Sequence, residues 1–402
     1  MNEDKKRMVK EIIKQLHSGL SPQEIKEKFK QVLESINPLE IAIIEQELIK
    51  EGVAKEEIQK LCDVHLAIFR EQLEKQKFEI PSWHPINILM EEHRIMLKLI
   101  EEINNIINKI QQEKDIIKEI HDLEHISRDF HDSEKHYLRE ENVLFPYLEK
   151  HGITEPPAIM WMEHNQIREK KKQFYNLIGK YNVIDIQEFK KQLNEVTKSL
   201  GSILSNHFFK ENNILFPTAL QVITEQEWIN IRKDFDEIGY CCFTPEHLIV
   251  VPGVDEIEKI EAENILKEIQ FETGVLSRKE IEAIFNTLPI DITFVDKEDT
   301  VKYFNKGEER IFIRTKAVIG RKVQQCHPQK SIHIVNKILE AFKNGKKDVA
   351  EFWIQKDGRV IHIRYFAVRD KNGKYLGTLE VTQDITDIKK IEGEKRLLDW
   401  KD

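Results

Sequence analysis

Two stretches of this sequence spell the same pattern. His136-Tyr-Leu-Arg-Glu140-Glu-Asn-Val-Leu144-Phe145-Pro146 and His207-Phe-Phe-Lys-Glu211-Asn-Asn-Ile-Leu215-Phe216-Pro217 share H-x-x-x-E-x-x-x-L-F-P. Upstream of each stands a Glu-His pair, Glu92-His93 and Glu163-His164, and the same 43 residues separate His93 from His136 and His164 from His207. Residue type, internal spacing and interval repeat together, so the region is an internal duplication. Whatever one copy builds, the other builds too.

Residues four apart lie on one face of a helix, so His136 with Glu140, and His207 with Glu211, can each offer nitrogen and oxygen to one point. Pro85 and Pro157 mark helix starts, Pro146 and Pro217 lie near helix ends, and the turn KHGITEPPA divides the second helix from the third. Four long helices with short connections predict an up-down-up-down bundle over about 85–220. A further helix, TEQEWINIRKDFDEIG, is expected to pack outside it. At 1.5 Å per residue the four histidines fall roughly 10–15 Å from the same end of that bundle, in one layer. Four imidazoles and two carboxylates in a layer suit a pair of iron or manganese ions bridged by the glutamates. Two cations would also offset the cost of burying two carboxylates. Glu92 and Glu163 are candidate hydrogen-bond partners of the ligands. His84, before Pro85, reads as a cap, and His125 as an interior histidine.

The rest of the chain has a different grammar. Residues 1–78 read as short helices, with a capping box at Ser21-Pro22-Gln23-Glu24 and Asn37-Pro38-Leu39-Glu40 echoing it. There Cys62 and His65 share a helix face, either as metal or redox partners of Cys241 and Cys242 or as a packing seam. Residues 241–275 read as an irregular connector and a charged helix, VDEIEKIEAENILKEIQ. From about 276, a helix leads into β-rich runs joined by the hairpin signals KDG and KNG. The expected unit at 276–390 is a five-stranded antiparallel sheet with helices inserted after its second strand, followed by a tail at 391–402.

Composition narrows the function. The 71 acidic residues outnumber the 62 basic ones, for a net charge of −9, which argues against phosphate neutralisation and so against nucleic acid. Four cysteines in 402 residues argue against a disulfide scaffold and fit a reducing compartment. No secretion signal and no bilayer-spanning run is expected. The protein is therefore expected in the cytoplasm.

The segment from about His84 to Pro217 resembles the hemerythrin-like (HHE cation-binding) bundles. It looks most like the bacterial di-iron proteins linked to repair of damaged iron centres. That resemblance implies that His93, His136, Glu140, His164, His207 and Glu211 are the ligands of a non-haem di-iron site, with manganese the other metal the set suits. Oxygen-carrying members have a fifth histidine on the third helix. Here the candidate positions hold Met160 and Arg168, which implies an open coordination position and favours sensing or reactive chemistry over oxygen storage. The order β-β-helices-β-β-β, ending in Asp384-Ile385-Thr386, resembles a PAS domain, a sensor and dimerising module whose ligand the sequence does not name. His333 lies on the inserted helix, where some haem-binding members place an axial ligand. Cys326-His327 is a metal or redox pair, or loop packing. The N-terminal segment resembles an uncharacterised helical domain (the domain of unknown function 438 type).

The function so implied is a cytosolic signalling protein in which oxygen, nitric oxide, peroxide or redox state acts at the metal pair, coupled to the PAS domain. No kinase, cyclase or DNA-binding segment is expected after the PAS segment. Output is therefore expected through the N-terminal helices, a protein partner or a homodimer formed by the PAS flanks. The alternative is a di-iron enzyme, or an iron donor for repair of damaged iron centres, or a reductase of nitric oxide or peroxide.

Overall fold

The computed structural model describes residues 7, 8, 11, 38–53, 80–112, 116–249, 268–307 and 310–395. The chain divides into two compact units, Met1–Pro252 and Gly253–Asp402.

The first unit is helical. Helix α1 spans Pro38–Lys50, and α2, the first bundle helix, spans Pro85–Gln112. The second bundle helix runs through α3 (Ile117–Asp132), α4 (Glu134–Arg139), a π turn at Glu140–Leu144, and α5 (Phe145–Lys150). The third is α6 (Glu155–Ile178), which carries Pro156 and Pro157 in its first turn. The fourth is α7 (Ile186–Lys210), continued by a π turn at Glu211–Leu215 and by α8 (Phe216–Val222). Asp185 caps α7 by accepting from the backbone N–H groups of Gln187 and Glu188. Thr224 and Glu227 form a capping box at the start of α9, Glu225–Ile238. The short helix α10 covers Glu246–Ile249.

The apolar stripes of the four bundle helices meet in one core that includes Met96, Ile103, Leu123, Phe130, Ile167, Phe174, Leu193 and Leu204. Gly201 lets α2 and α7 approach closely, since a Cβ there would sit 2.9 Å from Ile100 Cγ2. Helix α1 packs on α6, α8 and the second π turn. Its Gln46 accepts from Thr154 N at 2.9 Å and donates to Gly152 O at 3.0 Å.

The two π turns fall on the duplicated motif. In each, the N–H of the phenylalanine in Leu-Phe-Pro reaches back five residues, Phe145 to Glu140 O and Phe216 to Glu211 O. The proline that follows has no N–H to give, and in a regular α-helix its ring would clash with the carbonyl four residues back. The wider turn accommodates it, and such turns concentrate at functional sites.

The second unit opens with a hairpin, β1 (Glu268–Phe271) and β2 (Gly274–Ser277). This corrects the expected charged helix at its C-terminal end, because residues 268–270 are strand; residues 250–267 lie outside the described set. Helix α11 (Arg278–Thr287) follows, capped by Ser277 and Glu280. Then come β3 (Asp291–Asp296), β4 (Val301–Phe304), helix α12 (Gln329–Lys343), β5 (Val349–Lys356), β6 (Arg359–Arg369) and β7 (Tyr375–Asp384). They form the expected five-stranded antiparallel sheet, with its strands in the order β4-β3-β7-β6-β5. Asp357 and Gly358, both at positive φ, make the two-residue turn between β5 and β6. Gly377 is obligatory in β7, because an added Cβ would lie 2.2 Å from Val295 O. Among the described residues, no helix is long and apolar enough to cross a membrane.

Candidate metal centre

The bundle brings all six duplicated residues into one dry layer. His93, His136, Glu140, His164, His207 and Glu211 are each no more than 1% exposed. They form two overlapping groups, one of His93, His136, Glu140 and Glu211, the other of His164, His207, Glu140 and Glu211. Within each group the donor atoms lie within 4.8 Å of one another. The Nε2 atoms face inward. That of His136 is 3.5 Å from Glu140 and that of His164 is 3.3 Å from Glu140. Those of His93 and His207 are 3.1 and 3.0 Å from Glu211. Both glutamates therefore touch imidazoles from both halves, as bridging ligands would.

The outward Nδ1 atoms are held by other side chains. His136 Nδ1–H donates to Glu92 at 2.7 Å, His207 Nδ1–H to Glu163 at 2.8 Å, and His164 Nδ1–H to Glu141 at 2.8 Å. His93 Nδ1–H donates to the Asn212 carbonyl at 3.0 Å. Protons on all four Nδ1 atoms leave all four Nε2 lone pairs aimed at the centre. His93 Nε2 and His136 Nε2 stand 3.1 Å apart, where two lone pairs repel unless a cation lies between them. Both carboxylate oxygens of Glu140 and Glu211, and Nε2 of His164 and His207, are buried with no hydrogen-bond partner. Orphaned groups of this kind are costly, and a divalent cation pair satisfies all of them. The donor set, imidazole with carboxylate, fits iron or manganese.

The electrostatics agree. Burial, and next the charge of Glu211, push the Glu140 carboxyl up to about 8. Burial pushes Glu211 in the same direction, but the charge of His207 and contacts from His164, His207 and His93 outweigh it and hold Glu211 well below the usual carboxylate range. Burial draws His136 down to about 3. The facing carboxylates overcome burial at His164, raised well above the usual imidazole value, and at His207, also raised, so without a cation positive charge gathers on these two imidazoles beside the shared glutamates, the charge that a cation pair would supply.

An outer ring of ions supports the layer, and sequence reasoning captured only part of it. Glu92 and Glu163 accept from His136 and His207, each on another helix, and not from the histidines beside them in sequence. Glu92 also accepts from Arg139 at 2.6 Å and from Thr244 at 2.5 Å, and Glu163 accepts from Lys210 at 2.6 Å. Arg139 lies over the rings of Phe235 and Tyr240, so α9 and the segment after it brace this side. Arg139, Lys210, Glu141 and Asn212 went unread. The signal was in the duplication: a base precedes each shared glutamate, and a polar residue follows it. Arg168, on the third helix where an extra histidine was sought, is bound to Glu134 at 2.6 Å and Glu141 at 2.8 Å. Met160 is buried.

The remaining candidates part ways. His84 is a cap: Ile86 N–H donates to its Nδ1 at 3.2 Å, and burial draws it down to about 4. His125 is exposed beside Asp129, not interior, because its position on α3 faces away from the bundle stripe. Cys62 and His65 lie outside the described residues. Cys241 is buried 3.7 Å from Arg139, while Cys242 is exposed. In the second unit, His333 is exposed on α12 and does not line the cavity of about 30 Å³ formed by Val295, Val323, His327, Leu339, Tyr365 and Glu380. Cys326 is buried in the core with Val295, Val301 and Val318. His327 does face the cavity, and burial lowers its pKa.

Three family models match the chain: a family of unknown function (DUF438) at 9–75, the hemerythrin HHE cation binding domain at 84–219, and a PAS domain at 281–386. No curated protein matches. Among solved structures, the chain is similar to a C-terminal domain from Streptococcus mutans, with 35% identity over 32% of this chain and 99% of that one, and a TM-score of 0.31. It is also similar to a PAS domain from Colwellia psychrerythraea, 25% identical over 27% of this chain and 97% of that one, with a TM-score of 0.22. A third is the PAS domain of BvgS from Bordetella pertussis, 18% identical over 27% and 85%, with a TM-score of 0.23.

Proposed function

Because the chain belongs, segment by segment, to the DUF438, hemerythrin HHE and PAS families, we propose that it is a metal-dependent signalling protein of the cytoplasm. His93, His136, Glu140, His164, His207 and Glu211 hold a pair of iron or manganese ions, with Glu140 and Glu211 shared between them. Such a pair supplies reversible electron transfer and a binding point for oxygen, nitric oxide or peroxide. The chain's own residues fix the imidazole tautomers, exclude water and balance charge. A change at the pair is passed on, with the PAS input, to a protein partner or a second copy of the chain. The observation that carries this reading is the convergence of unpartnered Nε2 and carboxylate atoms in one buried layer.

The test is the metal content of protein purified without oxygen, with spectra in the reduced, oxidised and nitrosylated states. Fewer than about one ion per chain after iron supplementation overturns the ligand assignment. Stoichiometric gas binding without turnover supports the sensor.

A second reading, a di-iron enzyme that reduces nitric oxide or peroxide, draws support from Tyr137 and Lys171. The Tyr137 ring lies 4.7 Å from that of His164. The buried Lys171 amine, drawn down by burial to about 7, donates to the Tyr137 hydroxyl at 3.2 Å. A proton store beside the layer suits reduction, and multiple-turnover consumption of either oxidant with an electron donor selects this reading.

A further inference from the structure

The two metal positions share Glu140 and Glu211, so any difference between them must come from the imidazoles. Three of the four imidazoles are backed by a carboxylate: His136 by Glu92, His207 by Glu163 and His164 by Glu141. The fourth, His93, is backed by the neutral Asn212 amide at 3.0 Å. Its ring is held instead by stacking on Phe208, with centroids 4.0 Å apart and planes within 13°. The duplication makes the contrast clean, because Glu141 and Asn212 occupy equivalent positions, each directly after a shared glutamate. A carboxylate accepting from Nδ1–H makes the opposite nitrogen a stronger donor than an amide does. In a layer without water, that difference is little screened. Each backing carboxylate is also shared with a cation, Glu92 with Arg139, Glu163 with Lys210 and Glu141 with Arg168, so the contrast that remains is the amide in place of a carboxylate behind His93.

We infer that the two positions are unequal: a divalent cation between His164 and His207 binds first and tightly, and one between His93 and His136 binds second and exchanges. This deepens the metal-pair reading above and rests on it. The exchanging position is then the one at which incoming small ligands, or metal leaving the protein, act.

The experiment uses the full-length chain and Co(II). Calorimetric titration of metal-free protein is expected to show two steps whose dissociation constants differ by about 10–100-fold. Anomalous diffraction from crystals given less than one equivalent of cobalt is expected to place it between His164 and His207. Glu141→Gln should weaken the tighter step and bring the two together; Asn212→Asp should strengthen the weaker step. Equal occupancy of both positions, or cobalt lodging first between His93 and His136, overturns the inference even if either variant fails to fold, because the wild-type crystal alone decides it. Absence of any cobalt binding overturns the inference and the metal-pair reading together, whereas two equal steps overturn the inference alone.

Discussion

Replacing Glu140 by glutamine separates two opposing effects of one carboxylate. Without metal, the carboxyl is pushed from its ordinary 4.5 to about 8 by burial opposite Glu211. The folded state then keeps a proton that the unfolded chain releases between those values. Its stability therefore falls as pH rises through that window, by about 1.4 kcal/mol per pH unit. At pH 7 the loss is on the order of 3 kcal/mol. Glutamine keeps the shape and has no charge to bury. In chelator, E140Q should therefore melt higher than the wild type at pH 7, by roughly 6–12 °C for a unit of this size, and the gain should shrink to nothing towards pH 4.5. With metal the sign reverses. Each ion loses a shared anionic ligand, and the stabilisation from binding, about 4 kcal/mol at a thousand-fold excess over Kd, declines with the affinity. The assay is a set of anaerobic melting curves in chelator and in Fe(II) across this pH range. An E140Q protein less stable than wild type in chelator at pH 7, or a difference that ignores pH, would refute the reasoning and make Glu140 a structural hydrogen-bonding residue.

Three further outcomes are expected. Glu163→Ala removes the group that fixes His207 and pairs with Lys210, and should weaken metal binding about 10–100-fold, as read by competition with a chromophoric chelator. Gly377→Ala drives a Cβ into Val295 O, a backbone atom that cannot step aside; it should destabilise the sheet by about 3 kcal/mol or more, seen as early loss of the PAS unit in denaturant. Leu339→Ala, at the cavity wall, should cost about 2–5 kcal/mol and leave the metal content unchanged.

The bundle and its six central residues were legible because the helical period and the duplication act together. A repeat at fixed spacing fixes the face, and prolines at matched distances fix the level. The partners of the outer nitrogens were less legible for a physical reason. In regular α winding Glu141 points about 100° away from Glu140. The wider π turn brings both inward, and both are buried. The second π turn likewise turns Glu211 and Asn212 inward, with Glu211 buried and Asn212 half-buried. The pairing of Glu92 with His136 rather than with its neighbour His93 follows from which helices face each other, which spacing along one chain does not encode. In the second unit, the five strands of the sheet and the turns between the last three were readable from alternation and from KDG and KNG, whereas their order across the sheet was not. The hairpin at 268–277 was not, because the charged run before it keeps a helical period up to Gln270, and only Thr273-Gly274 marks the reversal.

The 71-residue step that carries His93 onto His164 and His136 onto His207 gives this protein an internal control. Any substitution in one half has a partner in the other, in the same chain, at the same depth and against the same pair of glutamates. Damage that is general to folding should follow from either member of a couple alike. An effect that differs between Glu92 and Glu163, or between Arg139 and Lys210, measures only what the two halves have come to do differently since they were copies.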